Sequence, residues 1–376
     1  MNFSIDKDYL RKTLVSLLNI PSPSGYTDQI VHFVGNRLQA MGIPFDVTRR
    51  GAIRANLKGE QNTLDRAITV HLDTLGAMVI SLKDNGRLAI APVGTWSSRF
   101  AEGARVTIFS AKNAYRGTIL PLKASGHTFG DAVDSQPVSW KQLEIRIDEH
   151  CCCCRHLEEC GIEIGDYVAL DTTPEITSSG FINARYLDDK AGAAVLLAVA
   201  KCIVDRKIVL PVDCHLLFTI LEEVGIGASG VLYGDIAEMV VIDSAPVAPG
   251  QHSTELGVTI AMMDQAGPFD YHLNRKLAGL CRENGILFRK DVLKFYRSDS
   301  ASAIEAGSDT RTALIGLGVD GSHGYERTHL DSLTATSDLV LAYVQSPLTF
   351  ARDKDNISSL KGFPHQLERE VIQIKT

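Results

Sequence analysis

An alternation of helix-like and strand-like segments, broken by one β-rich stretch, constrains the fold of this chain more than any other feature. Leucines recur at three- and four-residue steps between about residues 6 and 20, which is typical of a helix. Ala67–His71 is a short apolar run of the kind expected for a buried strand. After Asp188, an apolar helical segment at 191–204 is followed by strand-like runs at 216–221 and 239–242. Such alternation predicts an α/β sheet with helices on both faces.

The β-rich stretch lies between about residues 78 and 169. It contains short strand-like runs separated by Gly and Asp, such as Ala104–Phe109 and Leu143–Ile147. Several short strands at regular spacing are typical of a small β barrel or sandwich. The sequence therefore predicts one α/β domain that is split by a small β-barrel insertion.

Charge and hydropathy argue against two classes of partner. The 376-residue chain has a formal net charge of -7 and no basic run that would follow phosphates, so we expect no nucleic-acid partner. No apolar run reaches the roughly 18 residues of a membrane-spanning helix. The N-terminal segment Met1–Asp8 lacks the basic-then-apolar pattern of a signal peptide. We therefore expect a soluble, cytoplasmic protein with no membrane partner.

The chain has eight cysteines, of which Cys151–Cys154 are consecutive and Cys160 follows closely. Zinc modules use pairs of cysteines separated by two to four residues and drawn from two places in the chain. The run has a different spacing, so we expect inert thiols on a turn or short helix, with a metal or redox role as the alternative. Cys202, Cys214 and Cys281 are expected in the core, because free cysteine is usually buried.

Side chains that bind metals occur at five predicted strand ends. They are His71 with Asp73, Asp188, Glu222 with Glu223, Asp243, and His329. Open α/β sheets keep their sites at strand ends, so we expect these side chains to meet. The charge count fits two divalent cations, because three carboxylates and a hydroxide ion balance four positive charges and two imidazoles add none. A set of histidines and carboxylates predicts zinc, and cobalt or manganese would also fit.

Several of these carboxylates have distinct expected roles. Asp188 and Asp189 adjoin a helix start, so one can cap the helix while the other, with two oxygens, bridges two cations. Asp73 lies two residues after His71, where a strand would direct both side chains to one face and let the carboxylate accept the second imidazole N–H. Glu222 cannot share the direction of its neighbour Glu223, which leaves it free to act as a general base.

The order of these motifs resembles that of the co-catalytic metallo-aminopeptidases of clan MH. The similarity is greater to peptidase family M42, which contains the tetrahedral (TET), glutamyl and deblocking aminopeptidases. It covers nearly the whole chain. The motifs that carry it are Ile20–Gly25, His71–Asp73, Leu187–Lys190, Glu222–Gly225, Ile242–Asp243 and a late histidine.

The resemblance implies a role for each candidate residue. Asp188 would bridge two metal ions, Glu222 would be the catalytic base and acid, and Asp73 would orient a ligand. The remaining ligands would be His71 and Glu223 on one metal, and Asp243 and His329 on the other.

The late histidine stays open between two positions, because the segment 321–329 contains both His323 and His329. We prefer His329, because a hydroxyl-bearing loop and a helix follow it much as in the family. The family pattern before this histidine is not matched here.

The resemblance also implies an architecture and an activity. We expect a mixed-sheet phosphorylase/hydrolase-like catalytic domain with helices on both faces, at 1–76 and 178–376. An inserted β-rich domain at 77–177 would serve oligomerisation, since members form dimers to dodecamers. The expected activity is that of a di-metal hydrolase that removes N-terminal residues from peptides or cleaves a small peptide-like amide.

Other functions remain open at this point. The chain could be an inactive binding or scaffold protein on the same fold. It could also be a deacylase or amidohydrolase acting on an osmolyte dipeptide, because it is similar to a subgroup found beside genes for making the osmoprotectant N-acetylglutaminylglutamine amide. A further hypothesis makes the Cys151–Cys154 run the main functional element, as a metal-storage or redox module.

Overall fold

A computed structural model of the chain describes residues 4–234, 236–354 and 359–364. The helices are α1 (Lys7–Leu18), α2 (Asp28–Ala40), α3 (Gly126–Phe129), α4 (Cys154–Glu159), α5 (Leu187–Arg206), α6 (Tyr271–Asn284), α7 (Asp299–Glu305) and α8 (Leu330–Val344). The strands are β1 (Phe45–Val47), β2 (Ile53–Leu57), β3 (Gly59–His71), β4 (Gly76–Leu82), β5 (Leu88–Val93), β6 (Arg105–Phe109), β7 (Ala114–Pro121), β8 (Leu143–Ile147), β9 (Tyr167–Leu170), β10 (Glu175–Ile176), β11 (Phe181–Ala184), β12 (Leu210–Thr219), β13 (Ile236–Val247), β14 (Val258–Asp264), β15 (Gly267–Pro268), β16 (Phe288–Val292), β17 (Arg311–Asp320) and β18 (Glu326–His329).

A mixed sheet forms the centre of the larger unit. Its main path runs in the order β1-β2-β12-β3-β13-β17-β18-β11-β10, and β14 joins it through β17. The central strands β12, β3, β13 and β17 are parallel, whereas β2 pairs antiparallel with β12 and β14 pairs antiparallel with β17. Helix α5 packs against β3, β13 and β17. The predicted α/β fold with a mixed sheet is therefore confirmed.

The smaller unit is a closed barrel of strands in the order β4-β5-β8-β7-β6-β9. It has its own apolar core, which includes Val79, Ile108, Ile145 and Val168. The predicted β-barrel insertion is confirmed. The boundaries 1–76, 77–177 and 178–376 remain predictions, as does the role of the barrel in oligomerisation.

Helix α5 connects the core to the region of interest. Its residues from Leu187 to Ala200 are buried almost without exception, which explains why the segment is apolar on all sides. The acidic pair Asp188 and Asp189 stands at its first turn. The helix therefore fixes both carboxylates against the centre of the sheet. Within the described residues, no helix has the length and apolarity needed to cross a membrane.

Candidate active site

Three parallel strands bring their polar residues to one edge of the sheet. His71 ends β3 and lies opposite Thr219 of β12, after which the chain reaches Glu222 and Glu223. Asp243 of β13 lies two residues beyond the Val241–Thr69 pair, so it stands level with His71. The sequence expectation that these side chains meet at strand ends is met by this geometry.

Asp188 lies at the centre of the cluster. Its Oδ1 is 3.0 Å from His71 Nε2, and its Oδ2 is 3.6 Å from His323 Nε2. Ser244 Oγ donates a further hydrogen bond of 2.8 Å to Oδ2. Each carboxylate oxygen therefore faces a different imidazole, as a ligand that bridges two cations requires.

At one end of the cluster, His71 Nε2 is 3.9 Å from Asp243 Oδ1 and 3.9 Å from Glu222 Oε2. The other ring nitrogen, Nδ1, lies 2.9 Å from the main-chain oxygen of Asp73. A carbonyl oxygen can only accept, so Nδ1 carries a proton, and Nε2 is the ring nitrogen that faces the cluster.

At the other end, His323 Nε2 is 3.8 Å from Glu223 Oε2. His323 Nδ1 lies 2.9 Å from the main-chain oxygen of Thr95, which belongs to the loop after barrel strand β5. This contact holds the ring with Nε2 toward Asp188 and Glu223, as the Asp73 carbonyl does at His71. The barrel therefore helps to orient a residue of the site.

The sequence-based preference for His329 is wrong, because this residue does not reach the cluster. His329 Nε2 lies 2.8 Å from Ser179 O, and its Nδ1 accepts a 3.0 Å hydrogen bond from Asp331 N at the start of α8. Pairing of β18 with β11 places His329 opposite Phe181 and fixes this direction. His323 is the late histidine of the site.

The implied pairing of the ligands stays a prediction, because the ligand atoms of His71, Asp188 and Glu223 lie within 4.8 Å of one another, but the shortest contacts differ from it. The sequence analysis joined His71 with Glu223, and Asp243 with the late histidine. The distances instead place His71 beside Asp243, and His323 beside Glu223, with Asp188 between the two pairs.

The carboxylate of Asp73 has a different task from the one predicted. Its Oδ1 accepts from Glu222 N at 3.1 Å, and its Oδ2 accepts from Glu223 N at 3.3 Å and from Ser24 Oγ at 2.6 Å. The distance from Oδ1 to His71 Nδ1 is 3.6 Å, longer than the 2.9 Å to the main-chain oxygen. The Asp73 carboxylate thus fixes the Glu222-Glu223 backbone, and only its carbonyl orients His71.

The predicted cap on α5 is confirmed. Asp189 Oδ1 accepts from Gly192 N at 3.1 Å, and Oδ2 accepts from His71 N at 3.3 Å. A Cβ at position 192 would lie 2.2 Å from Oδ1, so only glycine leaves room for this carboxylate. Asp189 therefore caps the helix and positions His71 at the same time.

Glu326 is a buried residue that the sequence analysis missed. Its Oε1 accepts from His323 N at 2.9 Å, and its Oε2 accepts from Asp188 N at 3.2 Å. One carboxylate thus joins the backbones of two central residues. Burial raises the pKa of Glu326 to about 8, and the charge of Asp188 adds to this effect. No motif in the sequence marks the residue, because its partners lie 3 and 138 positions away.

The cluster carries more negative charge than its two histidines balance. Burial, together with the nearby carboxylates, raises the pKa values of Glu222, Glu223 and Asp243 well above the usual range. Burial alone would lower the pKa of His71, but its contacts with Asp188 and the other acids raise it instead. Buried charges of the same sign repel one another, and a bound cation would compensate them.

The donor set fits divalent metal ions. Two groups of three residues share His71, and within each group the ligand atoms lie within 4.8 Å of one another. The groups are His71, Glu222 and Asp243, and His71, Asp188 and Glu223. Glu223 Oε1 is buried without a hydrogen-bond partner among the described residues. Carboxylates and imidazoles are the ligands that zinc and related ions use.

A cavity of about 780 Å³ opens onto this cluster. The acidic residues and His323 form its floor, and Gly94, Val224, Gln265, Phe295 and Arg297 line its walls. The Phe295 side chain is 98% exposed. The cavity has the size of a small-ligand site, with polar groups gathered at its base.

Comparison with known proteins decides the family. The profile described as M42 glutamyl aminopeptidase matches residues 51–339. The chain belongs to this family. A putative aminopeptidase of Bacillus subtilis, YhfE, is 37% identical over 343 residues, which cover 90% of this chain and 99% of the relative. This M42 family member is thus a hydrolase of the aminopeptidase type.

Solved structures show the same fold. A TET aminopeptidase from a marine sediment thaumarchaeon superposes with a TM-score of 0.82 at 18% identity, covering 90% of this chain and 96% of the other. The TET1 peptidase of Pyrococcus horikoshii gives a TM-score of 0.79 at 22% identity, covering 89% and 99%. The latter is described as assembling into a tetrahedron or a large octahedral shell.

Proposed function

We propose that this M42 family member is a metal-dependent aminopeptidase that holds two divalent ions, of which zinc fits the donors best. His71, Asp188 and Asp243 would hold one ion, and Asp188, Glu223 and His323 the other. The observation that carries this proposal is the position of Asp188, whose two oxygens face different imidazoles at 3.0 and 3.6 Å. When bound, such a pair of ions would polarise a peptide carbonyl and lower the pKa of water.

Glu222 is the proposed general base and acid. Its side chain lines the cavity, and its backbone is fixed by the Asp73 carboxylate at 3.1 Å. Burial raises its pKa above that of a free carboxyl, which suits a group that must accept and then release a proton. Glu222 would take a proton from water as the water oxygen bonds to the carbonyl carbon. It would return that proton to the amine nitrogen as the carbon–nitrogen bond breaks.

The charge of the cavity suits an unblocked peptide N terminus. Its floor is acidic, and an ammonium group is attracted to carboxylates in a partly buried site. An inactive scaffold would not need the base and four of the five proposed ligands to line one cavity, so we favour the enzyme. Cleavage of a small peptide-like amide remains the alternative substrate class, and the osmolyte hypothesis belongs to it.

We also infer a cytoplasmic homo-oligomer. The described assembly of the P. horikoshii TET1 peptidase, which has the same fold, supports this inference. The barrel would supply contacts between subunits.

Replacement of Glu222 by Gln tests the proposed mechanism. The variant keeps size and a polar oxygen but cannot accept the proton, so turnover should fall by about 10²–10⁴-fold. Metal content, measured by elemental analysis, should stay at the wild-type level. The matched control is Glu102→Gln at an exposed site, which should leave both unchanged. Wild-type turnover in Glu222→Gln would remove Glu222 from the mechanism.

A further inference from the structure

The cysteine run lies on the barrel, in the connection between β8 and β9. Helix α4 begins inside the run, at Cys154. None of the residues that line the candidate active site belongs to this connection. Any chemistry of these thiols is therefore separate from the peptidase cavity.

Three side chains of this connection converge. The Sγ atoms of Cys152 and Cys153 and the Nδ1 atom of His156 all lie within 4.8 Å of one another. The distance from Cys152 Sγ to His156 Nδ1 is 3.5 Å. Two ligands on one tetrahedral zinc ion, with bonds of about 2.3 Å to sulfur and about 2.0–2.1 Å to nitrogen, are separated by roughly 3.6 Å. We propose that Cys152, Cys153 and His156 bind a zinc ion on the barrel.

The backbone prepares this arrangement. Cys152 N donates to His156 Nδ1 at 3.3 Å, which places the unprotonated ring nitrogen beside the run, and a bound zinc ion would replace this hydrogen bond. His156 N in turn donates to Cys153 O at 3.2 Å. Gly86 of the β4–β5 turn, at a φ of +74°, approaches so closely that a Cβ there would lie 2.3 Å from Cys151 O. The run is thus held against the barrel rather than free in solvent.

The surrounding charge favours a cation over a reactive thiolate. Asp148, Glu149, Glu158 and Glu159 outnumber Arg155 in the same connection. Reactive thiolates lie in electropositive surroundings, whereas the surroundings of this run are acidic. A bound Zn²⁺ ion would displace the protons of Cys152 and Cys153 and release both to solvent.

This proposal is independent of the peptidase mechanism. It favours the metal role over inert thiols, the expectation that rested on the absence of paired cysteines from two parts of the chain. His156, on the first turn of α4, lies back against Cys152, which precedes the helix. Sulfur and imidazole donors select zinc over the harder ions that oxygen ligands prefer.

The experiment uses Co²⁺ as a probe on the reduced, chelator-stripped full chain. Thiolate bonded to Co²⁺ gives near-ultraviolet charge-transfer absorption, and the proposed catalytic ligands contain no sulfur. We expect this band in the wild type, saturating at one Co²⁺ per subunit. The band should vanish in Cys152→Ser/Cys153→Ser and persist in Cys154→Ser, the matched control. Zinc content should fall by one equivalent in the double variant and stay at the wild-type level in Cys154→Ser.

Peptidase activity of each variant serves as the folding control and should be unchanged. His156→Ala, which keeps every thiol, should also lose the band. The proposal is overturned if the wild type shows no thiolate band. It is equally overturned if the band survives in the double variant, or if Cys154→Ser loses it to the same degree.

Discussion

His323 and His329 offer a sharp test of the site, because they lie six positions apart and have opposite predicted effects. His323→Ala removes the imidazole that faces Asp188 Oδ2 at 3.6 Å and Glu223 Oε2 at 3.8 Å. We expect the variant to retain one metal equivalent fewer per subunit than the wild type. Loss of a partner that only orients a ligand reduces activity by about 10–100-fold, so loss of a ligand should reduce it by at least about 100-fold.

The cost in folding stability is similar for the two variants. His323→Ala gives up the hydrogen bond to Thr95 O at about 1 kcal/mol, and its longer contacts with Asp188 and Glu223 at a further ~1 kcal/mol. His329→Ala gives up the cap on α8 at about 1 kcal/mol and the contact with Ser179 O at a further ~1 kcal/mol. Because the stability losses are comparable, unfolding cannot explain a difference in metal content.

The assay combines three measurements on the same preparations. Elemental analysis after dialysis gives metal per subunit, a peptide panel gives kcat/KM, and urea unfolding gives the free energy of unfolding. We expect His329→Ala to match the wild type in the first two and to differ only in the third. Full metal content in His323→Ala, or metal loss confined to His329→Ala, would refute the assignment of His323.

Three further predictions concern other carboxylates, at the site and on strand β16. Asp188→Asn should lose metal and activity together, whereas Asp189→Asn should keep the ligands and only weaken both, as elemental analysis and kinetics would show. Glu326→Gln should lower metal affinity by about 10–100-fold with no ligand removed, and metal titration of the stripped enzyme checks this. Hydrogen bonds from Ser253 and nearby backbone N–H groups outweigh the effect of burial and lower the pKa of Asp291. Asp291 therefore stabilises the fold above about pH 4, the pKa of an aspartate in the unfolded chain. Asp291→Asn should therefore lose about 1–3 kcal/mol at pH 7, and denaturant unfolding should show the gap to wild type closing as pH falls below 4.

Features that depend on local periodicity could be predicted from the sequence. Three strands are apolar runs of fixed period: the strand that ends at His71, the strand that precedes Glu222 and the strand that contains Asp243. Their positions at one edge of a parallel sheet followed directly from this pattern. The cap supplied by the Asp188-Asp189 pair could be predicted for a related reason. It depends on the helix start, which is visible in the chain.

Features that depend on distant pairing could not be predicted in this way. The choice between His323 and His329 is decided by the pairing of β18 with β11, about 150 residues earlier. For the carboxylate of Asp73, the sequence analysis extended the alternation of side chains along β3 beyond the end of that strand. Strand β3 stops at His71, so the alternation does not apply to Asp73. Past that point the chain turns, and the carboxylate is directed to the Glu222-Glu223 backbone instead.

The contact between His323 and Thr95 changes how the inserted barrel should be regarded. If the barrel served only contacts between subunits, its loops would not need to meet the cluster. Yet Thr95 O accepts from His323 Nδ1, and a Cβ on the adjacent Gly94 would lie 2.5 Å from Leu75 and 3.5 Å from Glu223 Cβ. The loop is therefore fitted closely against one end of the proposed two-metal site. It follows that the α/β unit alone positions the side chain of His71, whereas the imidazole of His323 also depends on a carbonyl of the barrel loop.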